Sequence, residues 1–146
     1  MGGRVLKTIL VTGADGFFGK NLRVALQRRQ DVRVLCFDLS NDKKELPRLV
    51  QHADVIYHLA GVNRPERIEE FAEGNSGLTR EVVGLLGQQG RAPRIVMRSS
   101  TQADLDNPYG RSKREAEEAL FEFARESGAD VRVYRLPGVA CTVEGS

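Results

Sequence analysis

The sequence predicts an α/β fold, a doubly wound parallel sheet with helices on both faces. Three observations predict it. Short runs rich in Val, Ile and Leu alternate with stretches of helical periodicity. A glycine-rich segment, Thr12-Gly13-Ala14-Asp15-Gly16-Phe17-Phe18-Gly19, joins the first apolar run to the first helical stretch. The chain has 146 residues, enough to bury one core. Strands separated by helical segments require right-handed crossovers, which place helices over both faces of the sheet.

In order along the chain, Thr8–Val11 reads as the first strand. Phe18–Arg28 follows as a helix with Leu22, Ala25 and Leu26 on one side. Val32–Phe37 is the second strand and carries Cys36, read as a small core residue. Glu45–Gln51 is a short helix, Val55–Leu59 a third strand, and Leu78–Gln88 a helix with Leu78, Val82, Leu85 and Leu86 at helical spacing. A further strand begins over Arg94–Met97. Pro108–Ser127 is a long helix whose first turn suits a proline. Val131–Leu136 is the last strand.

Composition narrows the function. A hydrophobic fraction of 40%, a charged fraction of 29% and a net charge of +2 describe an ordinary globular chain. That charge argues against a nucleic-acid or anionic-membrane partner, and Arg28-Arg29 and Lys43-Lys44 read as solvated faces. No apolar run reaches membrane-span length and no secretory segment opens the chain, so the cytoplasm is expected. Cys36 and Cys141 are far apart, which implies neither a disulfide nor a metal site.

The glycine segment carries the first chemistry. Gly13 allows a tight turn, Gly16 lets backbone approach a pyrophosphate, and Gly19 allows close helix–strand packing. The helix that opens there offers N–H groups and a positive dipole end to phosphates. Asp38 ends the second strand, 19 residues after Gly19. An acid there can accept from a ribose 2′-OH and would repel a 2′-phosphate, which favours NAD over NADP. Leu59-Ala60-Gly61 closes the third strand with small residues that let backbone lie against a flat ligand. His58 reads as a strand residue satisfied by packing or a hydrogen bond. Asn75 could orient water or backbone near the site, or serve as a helix cap.

Tyr109 and Lys113 are four residues apart, one helical turn, so phenol and ammonium share a face. A neighbouring cation favours phenolate and moves the phenol toward the working pH range. The pair is a proton-transfer device suited to carbonyl and alcohol chemistry. Ser100, with Thr101 as fallback, ends the preceding strand and can hydrogen-bond a substrate oxygen.

In this order, Thr12-Gly13-x-x-Gly16-x-x-Gly19, Leu59-Ala60-Gly61, Ser99-Ser100 and Tyr109-x-x-x-Lys113 resemble the extended short-chain dehydrogenase/reductases, the NAD-dependent epimerase/dehydratase group acting on nucleotide sugars. Leu59-Ala60-Gly61-Val62-Asn63-Arg64-Pro65, Gln102-Ala103 and Asp106-Asn107-Pro108-Tyr109-Gly110 are similar to the reductase domain of bifunctional capsular-polysaccharide enzymes. The resemblance implies a Rossmann-like domain over residues 1–146 that reduces a 4-keto UDP-deoxyhexose in the synthesis of an N-acetyl-fucosamine-type sugar. It implies Tyr109 as the acid on the keto oxygen, Lys113 as its activator and a nicotinamide-ribose contact, and Ser100 as the substrate-oxygen contact. The expected cofactor set is Gly13, Asp15, Gly16, Phe17, Phe18, Gly19, Asp38, Leu59, Ala60, Gly61, Tyr109, Lys113 and Pro137. Arg98 and Gly138 depart from the family's pattern, the first standing before the serines where an apolar or small residue is usual.

Only 33 residues follow Lys113, so the expectation is a domain lacking its substrate lobe, with an exposed face prone to self-association. Two alternatives to an enzyme of this type follow: a dinucleotide-binding module without turnover, and a site completed by a partner chain.

Overall fold

The computed structural model describes residues 6–60 and 72–137. Gly61, the Val62–Pro65 stretch, Gly138 and Cys141 lie outside the described residues. Five strands, β1 (Lys7–Thr12), β2 (Val32–Phe37), β3 (Val55–His58), β4 (Arg94–Ser100) and β5 (Val131–Leu136), form one parallel sheet in the order β2-β1-β3-β4-β5. Among the described residues, four α-helices connect them: α1 (Phe17–Gln27), α2 (Leu46–His52), α3 (Leu78–Gln89) and α4 (Pro108–Ser127).

The strand order reverses direction at β1. The chain steps one way to β2, then returns past β1 to β3 and continues outward. Crossovers of one hand then place α1 on one face and α2, α3 and α4 on the other. Two apolar clusters record this. Ile9, Val11, Ala14 and Leu26 form the smaller one, under α1. Leu10, Phe37, Ile56, Ile95 and Met97 meet Leu49, Leu78, Val82, Leu86 and Leu120 in the larger one. Alternation along each strand sends neighbouring residues to opposite clusters. The crevice outside the carboxyl ends of β1 and β3 is the switch point where such sheets bind ligands.

Local chemistry places the helix ends. Asn107 caps α4 by accepting from the Gly110 N–H at 2.7 Å, Pro108 occupies its first turn, and Gly128 ends it at φ +79°. A π-helical turn, Ala72–Gly77, leads into α3, and a 3₁₀ turn, Thr101–Asp104, follows β4. Neither turn was expected from periodicity. Two core expectations fail. Cys36 is exposed, because β2 is the sheet's edge and its alternate residues face outward beside α1. Ala25 is exposed, whereas Leu22 and Leu26 turn toward the sheet.

Candidate functional site

The loop between β1 and α1 is shaped by its glycines. Gly13 has φ +73°, and a Cβ there would stand 2.6 Å from the Ala60 nitrogen. The loop therefore presses against the end of β3. A Cβ on Gly19 would overlap the Gly13 carbonyl and Ala14, so the first turn of α1 closes onto the loop itself, rather than onto a strand. Gly16 is different: a Cβ there would meet only the Gly13 oxygen, at 3.4 Å, so its outer side is open. Gly16 also precedes α1 without a capping side chain, so no side chain competes for the first-turn N–H groups. An open glycine at an uncapped helix start fits a diphosphate.

Asp38 is half-buried beside this loop. Its Oδ2 accepts from the Asp15 N–H at 3.0 Å and its Oδ1 from the Leu39 N–H at 2.7 Å. A carboxylate oxygen has two lone pairs, so each keeps one for a further donor such as a ribose hydroxyl. Asp15 and Phe17 are exposed, and Phe18 is half-buried with its ring 5.3 Å from that of Phe17.

A directional chain of hydrogen bonds joins the loop to α4. The Ala60 N–H donates to Thr12 Oγ1 at 3.2 Å. Thr12 Oγ1 lies 2.8 Å from His58 Nδ1, and His58 Nε2 lies 2.8 Å from Thr79 Oγ1. Thr79 gives its own proton to the Asn75 carbonyl at 2.8 Å, so its oxygen must accept from His58 Nε2–H. That assigns the tautomer: Nδ1 is the acceptor and takes the Thr12 proton. Asn75 Nδ2 then donates to Ser112 Oγ at 2.8 Å, and Ser112 donates to the Tyr109 carbonyl at 2.7 Å. Burial and the Lys113 charge push the His58 pKa down to about 4, so the ring is neutral, as this arrangement requires.

Tyr109 and Lys113 occupy the first turns of α4. Lys113 Nζ lies 5.9 Å from the centre of the Tyr109 ring, and Lys113 is 2% exposed. Burial, aided by the Arg98 charge and opposed by Glu117, lowers the Lys113 pKa to about 8. Ser100 ends β4, buried, and its Oγ accepts from the Gln102 N–H at 3.1 Å. Its proton is therefore available to another acceptor. Thr101 is exposed and opens the 3₁₀ turn. A Cβ on Gly110 would overlap the carbonyls of Gln102 and Leu105, which shows how closely the start of α4 sits on that turn.

The predicted residues fall at one end of the sheet. Gly13, Leu59 and Ala60 follow β1 and β3; Ser100 ends β4; Pro137 follows β5, whose Leu136 pairs with Ser100. Asp38 follows β2 at the sheet's edge. Sequence reasoning missed Thr12, Thr79, Ser112 and Gly110 as parts of the site. Asn75 was singled out as able to orient groups near the site, but its partners Thr79 and Ser112, and Thr12 on β1, carried no signal that joined them.

Sheet order, crossovers and the glycine loop define a protein of the doubly wound α/β class. The chain belongs to the NAD dependent epimerase/dehydratase family, which matches residues 9–142. It is 46% identical over 131 residues to a UDP-2-acetamido-2,6-beta-L-arabino-hexul-4-ose reductase of Pseudomonas aeruginosa, covering 90% of this chain and 35% of that protein. The capsular polysaccharide assembling protein CapF of Staphylococcus aureus superposes with a TM-score of 0.74 at 42% identity, over 87% of this chain and 34% of that one. MoeE5 in complex with UDP-glucose and NAD superposes with a TM-score of 0.69 at 25% identity, over 86% and 52% of the two chains. The chain thus spans about a third of the length of the first two relatives.

Proposed function

We propose that the chain binds NAD and performs proton transfer in the reduction of a nucleotide sugar, with a 4-keto UDP-deoxyhexose as the favoured substrate. The observation that carries this reading is Lys113, buried beneath the Tyr109 ring at the sheet edge where the glycine loop opens. The 46% identical relative is a reductase of a UDP-hexulose, which supports the substrate class.

Gly13, Gly16 and the start of α1 would hold the diphosphate, with Asp15, Phe17 and Phe18 beside it. Asp38 would accept from the adenosine ribose; its negative charge disfavours a 2′-phosphate, hence NAD rather than NADP. Leu59, Ala60 and Pro137 border the nicotinamide end of the crevice. When bound, the nicotinamide supplies the hydride. Ser100 donates to the substrate carbonyl oxygen and fixes its direction. Tyr109 gives that oxygen its proton as negative charge develops there. Lys113 stabilises the resulting phenolate, and its buried charge acts strongly because water does not screen it. The His58 chain holds the Tyr109 backbone in register with Ala60. The same reading places the chain in the cytoplasm.

The test is a fluorescence titration with NADH and NADPH, followed by turnover of a 4-keto UDP-sugar. The expected result is tighter NADH binding and a Tyr109→Phe variant that binds NADH but loses turnover. Preference for NADPH would overturn the role of Asp38. Normal NADH binding without turnover in the wild type would leave a dinucleotide-binding module.

A further inference from the structure

Arg98 lies on β4, two residues before Ser100. Its guanidinium carbon stands 4.7 Å over the Phe18 ring, in the first turn of α1. Its Nε is buried and meets no hydrogen-bond partner, and among the described residues no carboxylate pairs with it. Stacking on a ring uses the guanidinium's face and none of its five N–H donors, which lie in the plane. The buried Nε–H therefore remains to be satisfied.

We propose that Arg98 contacts the diphosphate of the bound dinucleotide, supplying a side-chain cation beside the backbone N–H groups of the loop; Arg23, the other guanidinium at this loop, is engaged by the Ala14 carbonyl and Asp15. This rests on the dinucleotide reading above and adds a residue to it. Phe18 fixes where the guanidinium lies: against the helix start that receives the diphosphate. The Arg98 charge is also felt at Lys113, where it is one cause, after burial, of the lowered pKa. Two cations within electrostatic reach of each other, both partly or wholly withdrawn from water, repel unless an anion joins them. Glu117, the carboxylate that acts on Lys113, is already held by Arg135 and Ser99. An incoming diphosphate is the anion that the arrangement lacks.

The experiment compares wild type, Arg98→Met and Arg98→Lys by calorimetric titration with NADH, ADP-ribose and adenosine. Methionine keeps an apolar stem against Phe18 and removes the charge; lysine keeps the charge. The expected result for Arg98→Met is about tenfold weaker binding of NADH and ADP-ribose, the loss expected for a charge-assisted hydrogen bond, with adenosine unchanged. Arg98→Lys should retain most of the affinity, and the salt dependence of NADH binding should be shallower in Arg98→Met than in wild type. Wild-type affinity of Arg98→Met for NADH and ADP-ribose overturns the inference alone. An equal loss for adenosine also overturns it, since a disturbed fold would then be the cause. A wild-type protein that binds no NADH overturns the dinucleotide reading, and the inference with it.

Discussion

Arg135, on β5, grips Glu117, on α4, with a two-pronged ion pair: Nε to Oε2 at 2.9 Å and Nη2 to Oε1 at 2.6 Å. Ser99 adds a third bond to the same carboxylate at 2.6 Å, and Arg135 Nη1 reaches Asp104 at 2.8 Å. One guanidinium thus ties β5, α4 and the turn after Ser100 together. Hydrogen bonds to both Glu117 oxygens and to Asp104 hold the Arg135 pKa above its ordinary range.

Arg135→Met should destabilise the chain by about 3 kcal/mol, because Glu117, with a side chain only 6% exposed, loses both hydrogen bonds of its bidentate ion pair. Urea denaturation measures this. The double variant Arg135→Met/Glu117→Leu should recover part of the loss, since the buried carboxylate goes with its partner, while Lys113 loses the favourable Glu117 charge. A double variant as unstable as Arg135→Met would refute the explanation.

His58 makes the fold acid-sensitive. Its pKa falls from 6.5 to about 4 on folding, first through burial and then through Lys113. The unfolded chain therefore takes up this proton at a higher pH than the folded one. Stability from this group is complete above pH 6.5 and declines as pH falls toward 4, by roughly 3 kcal/mol in all. Replacing His58 with Gln should flatten that part of the stability–pH curve, at a cost at neutral pH from the broken hydrogen-bond chain.

The buried Lys113 charge opposes stability. Burial lowers its pKa from 10.5 to about 8, so at pH 7 a charge is held in an unfavourable place. Stability should rise as pH climbs from 8 toward 10.5, where the unfolded chain still holds a proton that the folded one has released. Lys113→Met should raise the unfolding free energy at pH 7 by about 1–2 kcal/mol, while removing turnover. A lower melting temperature in this variant would contradict the assignment.

Two glycine substitutions should act in opposite directions. Gly110→Ala forces a methyl group into the carbonyls of Gln102 and Leu105, and should destabilise by about 2 kcal/mol despite alanine's better helix propensity. Gly84, inside α3, has nothing within 4 Å of its added Cβ, so Gly84→Ala should stabilise by up to about 1 kcal/mol. Thermal unfolding of both variants gives the comparison.

Much of this protein was written locally. The strands Val32–Phe37 and Val131–Leu136 and the helix Pro108–Ser127 have the bounds their periodicity and caps predict. Gly13 and Gly19 were legible because a tight turn and a close approach each demand a missing side chain. The Tyr109/Lys113 pair was legible because helical spacing alone puts both on one face. Contacts between distant segments left no such mark. The strand order, the exposure of Cys36, the tautomer of His58 and the Arg135–Glu117 clamp each depend on which elements become neighbours. The hydrogen bonds joining positions 12 to 58, 58 to 79 and 75 to 112 span 46, 21 and 37 residues and obey no period in the chain. Local spacing therefore determined the elements and the reactive pair. Only the packing of one layer on another decided which polar groups are buried together, and so which charges Arg98 and Lys113 must answer to.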